Sequence, residues 1–219
     1  MVTSTKAKKK ENNDASLVIP PPKFQTAAFN IVGVAPYVQN KFSAKARQQM
    51  KETQEAGSTA RSKKKREAKD FQAAYEGAMH KMKDGGYGIP APAFRNAMID
   101  ACRMAGFKMT HAKCSLFVEA DGFDVDDGTP LVRITKGEPM YKELAVRNET
   151  GVADIRPRPM WAEGWEATVK IRFDNDQFTV DDVANLLMRA GMQVGVGEGR
   201  PFSKKSNGMG WGLFAHAEV

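Results

Sequence analysis

A glycine-rich stretch near the C-terminus, Val194 to Gly212, constrains the fold of this chain more than any other segment. It places six glycines among three cations and a tryptophan: Gly195, Gly197, Gly199, Arg200, Lys204, Lys205, Gly208, Gly210, Trp211 and Gly212. Glycine adopts positive φ without steric strain, so the backbone N–H groups of such a loop can turn outward and bind an anion. The cations add positive charge, and the indole ring offers a face on which a base can stack. The stretch therefore predicts a loop that binds phosphates and bases; the alternative is a hairpin that closes the last sheet.

The overall charge of the chain favours an anionic partner. Its 219 residues carry 33 Lys and Arg against 26 Asp and Glu, a formal net charge of +7. Such a balance favours a polyanion over an acidic small molecule. The sequence has no run of about 18 apolar residues and no apolar region of a secretory signal, so we expect neither a membrane span nor export. The two cysteines, Cys102 and Cys114, form no C-x-x-C motif, which argues against structural zinc and suits a reducing cytoplasm.

Two basic segments are predicted to be mobile. Residues 1–23 mix Lys, Asn, Ser and Pro without a hydrophobic period, which indicates a disordered basic arm. From Arg61 to Lys69, six of nine residues are basic. A charge run of this kind is most simply a solvated loop, although it can also contact phosphates. The candidates for that contact are Lys63, Lys64, Lys65 and Arg66.

Hydrophobic periodicity predicts the ordered elements of the first half of the chain. They are a strand at 25–34, helices at 42–55, 70–82 and about 92–105, and a strand at 115–120. The third helix repeats apolar residues at i, i+3 and i+4, ends at Gly106 and leaves Arg95 outside its apolar stripe. An acidic turn at 121–128 lacks the spacing of a calcium loop, so we expect no metal there.

The second half alternates strands with polar segments. The predicted elements are strands at 131–135 and 166–173, a helix that begins at 180 and is ended by Gly191, and a last strand at 213–219. In the second of these strands, Lys170 and Arg172 alternate with apolar residues, giving one apolar and one cationic face. A capping-box signal at Thr179 opens the helix. Arg156 and Arg158 alternate with prolines, which stiffen an extended segment that can present guanidinium groups.

The order of these elements corresponds to a βαββαβ core of the ferredoxin-like or RRM-like kind, within the α+β class. Two insertions interrupt the core, at about 35–88 and 121–165, within a single domain at 24–219. Three motifs accompany this plan: Gly33-x-x-Pro36 after the first strand, Ile89-Pro90-x-x-x-x-Arg95 at the core helix, and Gly208 to Gly212. In order and spacing they resemble the RAMP superfamily (repeat-associated mysterious proteins), which supplies backbone subunits of CRISPR effector complexes and some guide-processing ribonucleases. The pattern is also similar to an uncharacterised family of bacteriophage proteins.

The resemblance implies single-stranded nucleic acid laid across a palm, with the first insertion as fingers and the second as a thumb. It also implies side-by-side assembly into a helical filament, with effector-complex, replication or recombination proteins as further partners. Cleaving backbone subunits carry an aspartate in the loop after the first strand, whereas residues 37–41 here contain no carboxylate. The resemblance therefore implies binding without cleavage. A phage setting places the protein in the cytoplasm of a bacterial host and allows single-stranded DNA as the ligand.

Three functions remain open from the sequence. The first is a non-catalytic protein, without metal or cofactor, that coats single-stranded DNA or RNA as an oligomer or filament; we favour it because basic side chains neutralise phosphates and aromatic faces stack bases. The second is a metal-independent endoribonuclease of the guide-processing type, using His111 or His80 as general acid or base. The third is an adaptor or inhibitor that mimics an effector subunit and binds proteins. The predicted nucleic-acid-binding residues are Arg95, Arg156, Arg158, Lys170, Arg172, Gly195, Gly197, Gly199, Arg200, Lys204, Lys205, Trp211, Lys63, Lys64, Lys65 and Arg66.

Overall fold

The computed structural model describes residues 19–42, 44–55, 57, 68–147, 153–202 and 208–217. Several sequence predictions lie outside these residues: most of the basic arm, the run from Lys63 to Arg66, Lys204 with Lys205, and the last two residues of the final strand. The described chain is a mixed α+β structure with two antiparallel sheets, which confirms the predicted fold class.

Five α-helices and ten strands follow one another along the described residues. The helices are α1 (Ala44–Glu55), α2 (Phe71–Glu76), α3 (Ala91–Ala105), α4 (Met109–Ser115) and α5 (Val180–Arg189), with a π-helical turn at Ala190–Val194. The strands are β1 (Phe24–Gly33), β2 (Tyr37–Val38), β3 (Gly88–Pro90), β4 (Leu116–Val118), β5 (Gly122–Phe123), β6 (Pro130–Lys136), β7 (Met140–Arg147), β8 (Ala153–Trp161), β9 (Glu166–Asp174) and β10 (Phe214–His216). None of these helices combines the length and the apolar character that a membrane span requires.

The larger sheet is built on two central strands, β1 and β9. They pair antiparallel along almost their whole length, from Phe24 opposite Asp174 to Val32 opposite Glu166. β10 pairs with the other edge of β1. The edge of β9 away from β1 pairs with two strands: β6 near the N-terminal end of β9 and β4 near its C-terminal end. β6 also pairs with β3 and β5. The order through the centre is therefore β10, β1, β9 and β4.

The hydrophobic core lies between one face of this sheet and helices α3 and α5. Every second residue of β9 is buried from Ala167 to Phe173, which confirms the predicted alternation along this strand. Burial of a large apolar side chain contributes about 1.5–3 kcal/mol. The sheet and helix residues that meet in the core include Ile31, Phe94, Met98, Val169, Ile171, Phe173, Val183 and Leu187.

The ends of the two core helices follow the sequence signals. α3 ends at Gly106, whose φ of 70° is the left-handed conformation that glycine favours. α5 begins at Thr179, which forms a reciprocal capping box with Asp182. Both predictions are confirmed. The sequence could predict these helix ends because their signals depend on local backbone geometry.

A second sheet of three strands, in the order β2-β8-β7, contains a long hairpin. β7 and β8 pair from Met140 opposite Met160 to Arg147 opposite Ala153. On this hairpin the Tyr75 ring of α2 lies 5.2 Å from the Tyr141 ring. The sequence predicted only an extended segment here, since alternating arginine and proline obscure the strand pattern.

Two helix predictions need correction. The helix predicted at 70–82 ends at Glu76, and the apolar residues Ala78, Met79 and Met82 are buried from a turn and an isolated bridge instead. Surrounding segments bury these residues, and their spacing in the sequence happens to match the period of a helix. In addition, the sequence did not predict α4. Its last residue, Ser115, is the first residue of the strand predicted at 115–120.

Candidate nucleic-acid interface

The face of the larger sheet opposite α3 and α5 carries the residues that alternate with the core. Thr26 and Ala28 of β1 and Lys170 and Arg172 of β9 are all exposed there. The register sets Thr26 beside Arg172 and Ala28 beside Lys170. Two of the predicted binding residues, Lys170 and Arg172, therefore lie together on one surface, which we call the open face.

An aromatic–arginine cluster, formed by Phe24, Phe117 and Arg172, lies on the open face. The Arg172 Cζ atom is 4.7 Å from the ring centroid of Phe24 and 4.8 Å from that of Phe117. The two ring centroids are 5.7 Å apart, in an edge-to-face arrangement. Pairing of β4 with β9 sets Phe117 beside Arg172, and β1 supplies Phe24. The sequence identified Arg172 but missed both rings, although the period of two in a strand places Phe24 on the same face as Thr26.

Arg95 lies at the border of this cluster and has a structural role. Its Cζ atom is 5.4 Å from the Phe117 ring centroid. Its Nε atom donates to the Leu116 carbonyl at 2.8 Å, and Nη2 donates to the Lys113 carbonyl at 2.5 Å. The half-buried guanidinium therefore ties α3 to the junction of α4 and β4.

The charges of the open face are mixed. Lys170 Nζ lies 2.9 Å from Asp121 Oδ1, and this hydrogen bond raises the pKa of Lys170. Thr26 donates to Glu119 at 3.3 Å. Arg172 differs, because no hydrogen bond or ion pair to another described residue engages its guanidinium. A phosphate on this face would meet Arg172 directly but would compete with Asp121 for Lys170.

The glycine-rich stretch has the predicted positive φ angles, but many of its amides bind within the protein. Gly195, Gly197 and Gly199 have φ of 75°, 81° and 77°. Backbone N–H groups of the stretch donate to carbonyls as follows: Gly195 to Ala190 at 2.8 Å, Val196 to Gly212 at 2.9 Å, Glu198 to Val38 at 2.9 Å, Trp211 to Gly199 at 3.2 Å and Gly212 to Pro36 at 2.7 Å. At these five positions the prediction of an open anion nest is wrong, because the donors already have partners.

Close packing explains why glycine is needed in this stretch. A Cβ atom on Gly212 would lie 1.7 Å from the Val196 carbonyl oxygen, and one on Gly197 would lie 2.5 Å from the Val38 oxygen. Side chains at either position would displace backbone. The stretch therefore packs onto β2 and onto itself. This arrangement is closer to the structural alternative predicted from the sequence, a hairpin that closes the last sheet.

The other predicted residues around this stretch are largely engaged. Arg158 is buried and its Nε atom donates to Glu198 Oε2 at 2.5 Å, so it fastens β8 to the glycine-rich stretch. Arg156 Nε lies 3.0 Å from Asp154, and Arg200 donates to the Gly197 carbonyl at 2.9 Å. Trp211 is half-buried. The prediction that the extended segment presents its guanidinium groups is wrong for Arg158, because that side chain turns inward.

A buried ion pair of Lys41 and Asp124, with half-buried His80 and the exposed Asp126 beside it, forms an ionic cluster that the sequence did not reveal. Lys41 Nζ lies 2.6 Å from Asp124 Oδ1 and 2.6 Å from Asp126 Oδ2. His80 Nδ1 lies 2.9 Å from the other Asp124 oxygen. The side chains of Lys41 and Asp124 are only 2% and 0% exposed. The cluster joins three segments distant in sequence, so no local spacing signals it.

The ionic cluster shifts the pKa values of its members. Burial by itself raises the pKa of Asp124, but hydrogen bonds from Lys41, the Asp126 amide and His80 outweigh it and lower this pKa to about 2. Burial lowers the pKa of His80, although Asp124 opposes that change. The cluster therefore holds a charged Lys41–Asp124 pair beside a neutral imidazole at neutral pH.

A metal ion is a poor fit to this cluster. Ligand atoms of His80, Asp124 and Asp127 lie within 4.8 Å of one another, a spacing that suits a cation. The Lys41 ammonium, however, already contacts Asp124 and supplies the positive charge there. The arrangement is better explained as a buried ion pair with an oriented histidine.

Comparison with known proteins adds no family to this geometry. A scan against protein-family models and a search of curated proteins both gave no match to the chain.

Proposed function

We propose that this protein binds single-stranded nucleic acid without cleaving it and assembles along the strand as an oligomer or filament. We also propose that β1, α3, β4, β9, α5 and β10 form a ferredoxin-like, RRM-like βαββαβ core of the RAMP kind. The strand order β10-β1-β9-β4 supports this core, because each helix then connects two strands separated by one other strand. The segments before α3 and between β4 and β9 are the two insertions.

The observation that carries the binding proposal is the aromatic–arginine cluster on the open face. Phe24 and Phe117 hold the Arg172 guanidinium against their rings, at an exposed position of a central strand. Unpaired bases stack on arginine planes as well as on aromatic rings. Since every base has a π face, stacking of this kind tolerates any sequence. The cluster is thus suited to a base of a single strand, with the N–H groups of Arg172 available to its phosphate.

The test is a fluorescence-anisotropy titration with labelled 20-nucleotide poly(dT) and poly(U). Loss of one stacking contact costs about 1–3 kcal/mol, so we expect Arg172→Ala to weaken binding about tenfold or more. Arg172→Lys keeps the charge but loses the planar group, and we expect an intermediate affinity. Arg103→Ala is the matched control, because Arg103 is an exposed arginine on α3, the helix packed against the other face of the sheet.

Two results contradict this interface. Equal affinity of Arg172→Ala and the parent chain would place the nucleic acid elsewhere. Absence of binding to both oligonucleotides would favour the adaptor or inhibitor that binds proteins.

One observation favours the ribonuclease as a second candidate. The Asp124 carboxylate accepts from His80 Nδ1 in the tautomer that leaves Nε2 as a base, and this is how an oriented general base is held. His111, in contrast, contacts the Phe107 ring and is exposed. If the first candidate is correct, labelled RNA stays full length during long incubation with or without magnesium. Discrete products that disappear in His80→Gln would instead support the ribonuclease.

A further inference from the structure

An open cavity of about 290 Å³ lies between α3 and α5, on the helix side of the larger sheet. Its lining includes two small side chains of α3, Cys102 and Ala105, and Leu186 of α5. Phe107 and Phe178 form one wall, with ring centroids 4.8 Å apart and planes inclined at 48°. Cys102 is fully buried, so the cavity reaches from the surface to the core.

Polar side chains surround the mouth of the cavity. Asp182 is already engaged, since its carboxylate accepts from the amide and hydroxyl of Thr179. Gln177, Asn185 and Arg189 differ: their side chains have no hydrogen-bond or ion-pair partner among the residues that the structure describes. The mouth therefore presents two amides, one guanidinium and the charged Asp182 carboxylate, which Thr179 already engages, above apolar and aromatic walls.

We propose that this cavity binds a small planar aromatic anion, of one or two rings with a carboxylate, phosphate or sulfonate group. A dry cavity of about 150 Å³ accommodates benzene, so this larger cavity has room for a ring system. Small-molecule sites combine apolar walls with a few polar groups that fix orientation. Here the ring lies against Phe107, Phe178 and Leu186, and the anionic group pairs with Arg189. The proposal is independent of nucleic-acid binding on the open face.

The test uses 8-anilinonaphthalene-1-sulfonate, an aromatic sulfonate whose fluorescence rises in an apolar site. We expect saturable binding to one site on the full chain. Ala105→Phe fills the cavity from an exposed helix position and should abolish saturable binding. Arg189→Gln removes a charge-assisted hydrogen bond and should weaken binding about tenfold. Met104→Phe and Arg103→Gln are the controls, since both positions are exposed on α3 and neither lines the cavity.

Two sources can supply such an anion, and competition separates them. Displacement of the dye by adenosine 5′-monophosphate supports a nucleotide, whereas displacement by indole-3-acetate alone supports a free aromatic carboxylate. Dye binding that is unchanged in both Ala105→Phe and Arg189→Gln, or absent from the parent chain, overturns the proposal. If Ala105→Phe does not fold, Arg189→Gln alone decides, because the Arg189 side chain is exposed.

Discussion

Lys41 places an ammonium group where water hardly reaches, with a side chain only 2% exposed. Removing a charge from water costs several kcal/mol, and only well-placed opposite charges offset that cost. Asp124 and Asp126 meet this condition at 2.6 Å each. At the junction of the first insertion with the β5–β6 turn, Lys41 and Asp124 therefore depend on each other, because loss of either one leaves the other charge buried without compensation.

We expect Lys41→Met to destabilise the protein by about 3–5 kcal/mol, because Asp124 would remain buried without its counter-charge. The measurement is the free energy of unfolding from urea denaturation. Lys51→Met is the control, since Lys51 pairs with Glu55 at 3.8 Å on the exposed surface of α1. Such surface pairs contribute about 0–1 kcal/mol. Similar losses in the two variants would contradict a buried ionic cluster.

The same cluster gives stability a defined dependence on pH. Burial holds the pKa of His80 below its usual value of 6.5, so the folded state binds fewer protons than the unfolded state. The contribution of neutral His80 to the free energy of unfolding is therefore complete above about pH 6.5. It is lost as pH falls through the pKa that His80 has in the folded state. Asp124, with a pKa lowered to about 2, adds a second loss between about pH 4 and pH 2. Thermal unfolding from pH 8 to pH 5 should show the first loss in the parent chain and less of it in His80→Gln.

At the scale of elements, the glycine-rich stretch shows what close backbone packing requires. Its two glycine runs contact each other, since Val196 donates to the Gly212 carbonyl and Trp211 donates to that of Gly199. Gly212 also donates to the Pro36 carbonyl, which precedes β2. The glycines are thus needed for contact between chain segments. At five positions of the stretch, the backbone amide that was predicted to point outward donates to a carbonyl within the protein instead. The stretch positions β2, and through Arg158 and Glu198 it also positions the hairpin.

We expect Gly212→Ala to be much more damaging than Gly210→Ala. Both glycines have positive φ, 70° and 74°, so alanine costs about 1–2 kcal/mol at either position. Only at Gly212 would the added Cβ atom meet a backbone oxygen at 1.7 Å; at Gly210 it meets nothing within 4 Å. Overpacking adds about 1–3 kcal/mol or more at Gly212. Urea denaturation of the two variants checks this difference, and equal stabilities would reject the close contact of Gly212 with Val196.

Sequence predicted best those elements whose signals are local. The alternation of β9, the stripe and C-terminal glycine of α3, and the Thr179 cap of α5 each depend on neighbouring residues. The ionic cluster, the hairpin and the phenyl rings beside Arg172 depend on contacts between distant segments. For the candidate site, strand periodicity placed Lys170 and Arg172 on one face, but it could not show that Asp121 pairs with Lys170 or that Arg158 turns inward.

At the scale of the whole molecule, the proposed function depends on both the net charge of +7 and the open face. In the proposed function, long-range attraction would concentrate a polyanion near the protein, and the cluster of Phe24, Phe117 and Arg172 would then supply short-range contact. The two effects differ in their response to salt, because screening acts over about 8–10 Å at 0.1–0.15 M. Stacking on a guanidinium survives moderate salt better than attraction between separated charges.

We expect the affinity for a single strand to fall steeply with salt. If each protein molecule contacts about four phosphates, the logarithm of the binding constant should decline with the logarithm of salt concentration at a slope of about −3. Arg172→Ala should reduce this slope by about 0.7 if Arg172 contacts one phosphate, because each phosphate contact releases one share of counterions.

Replacing Lys63, Lys64 and Lys65 by glutamine together tests the basic run, which lies outside the described residues. A slope reduced by about 2 in that triple variant would locate most phosphate contacts in the first insertion. Anisotropy titrations from 50 to 300 mM KCl give these slopes, with Arg103→Ala as the unchanged control. A flat dependence in the parent chain would reject phosphate neutralisation and support a protein partner.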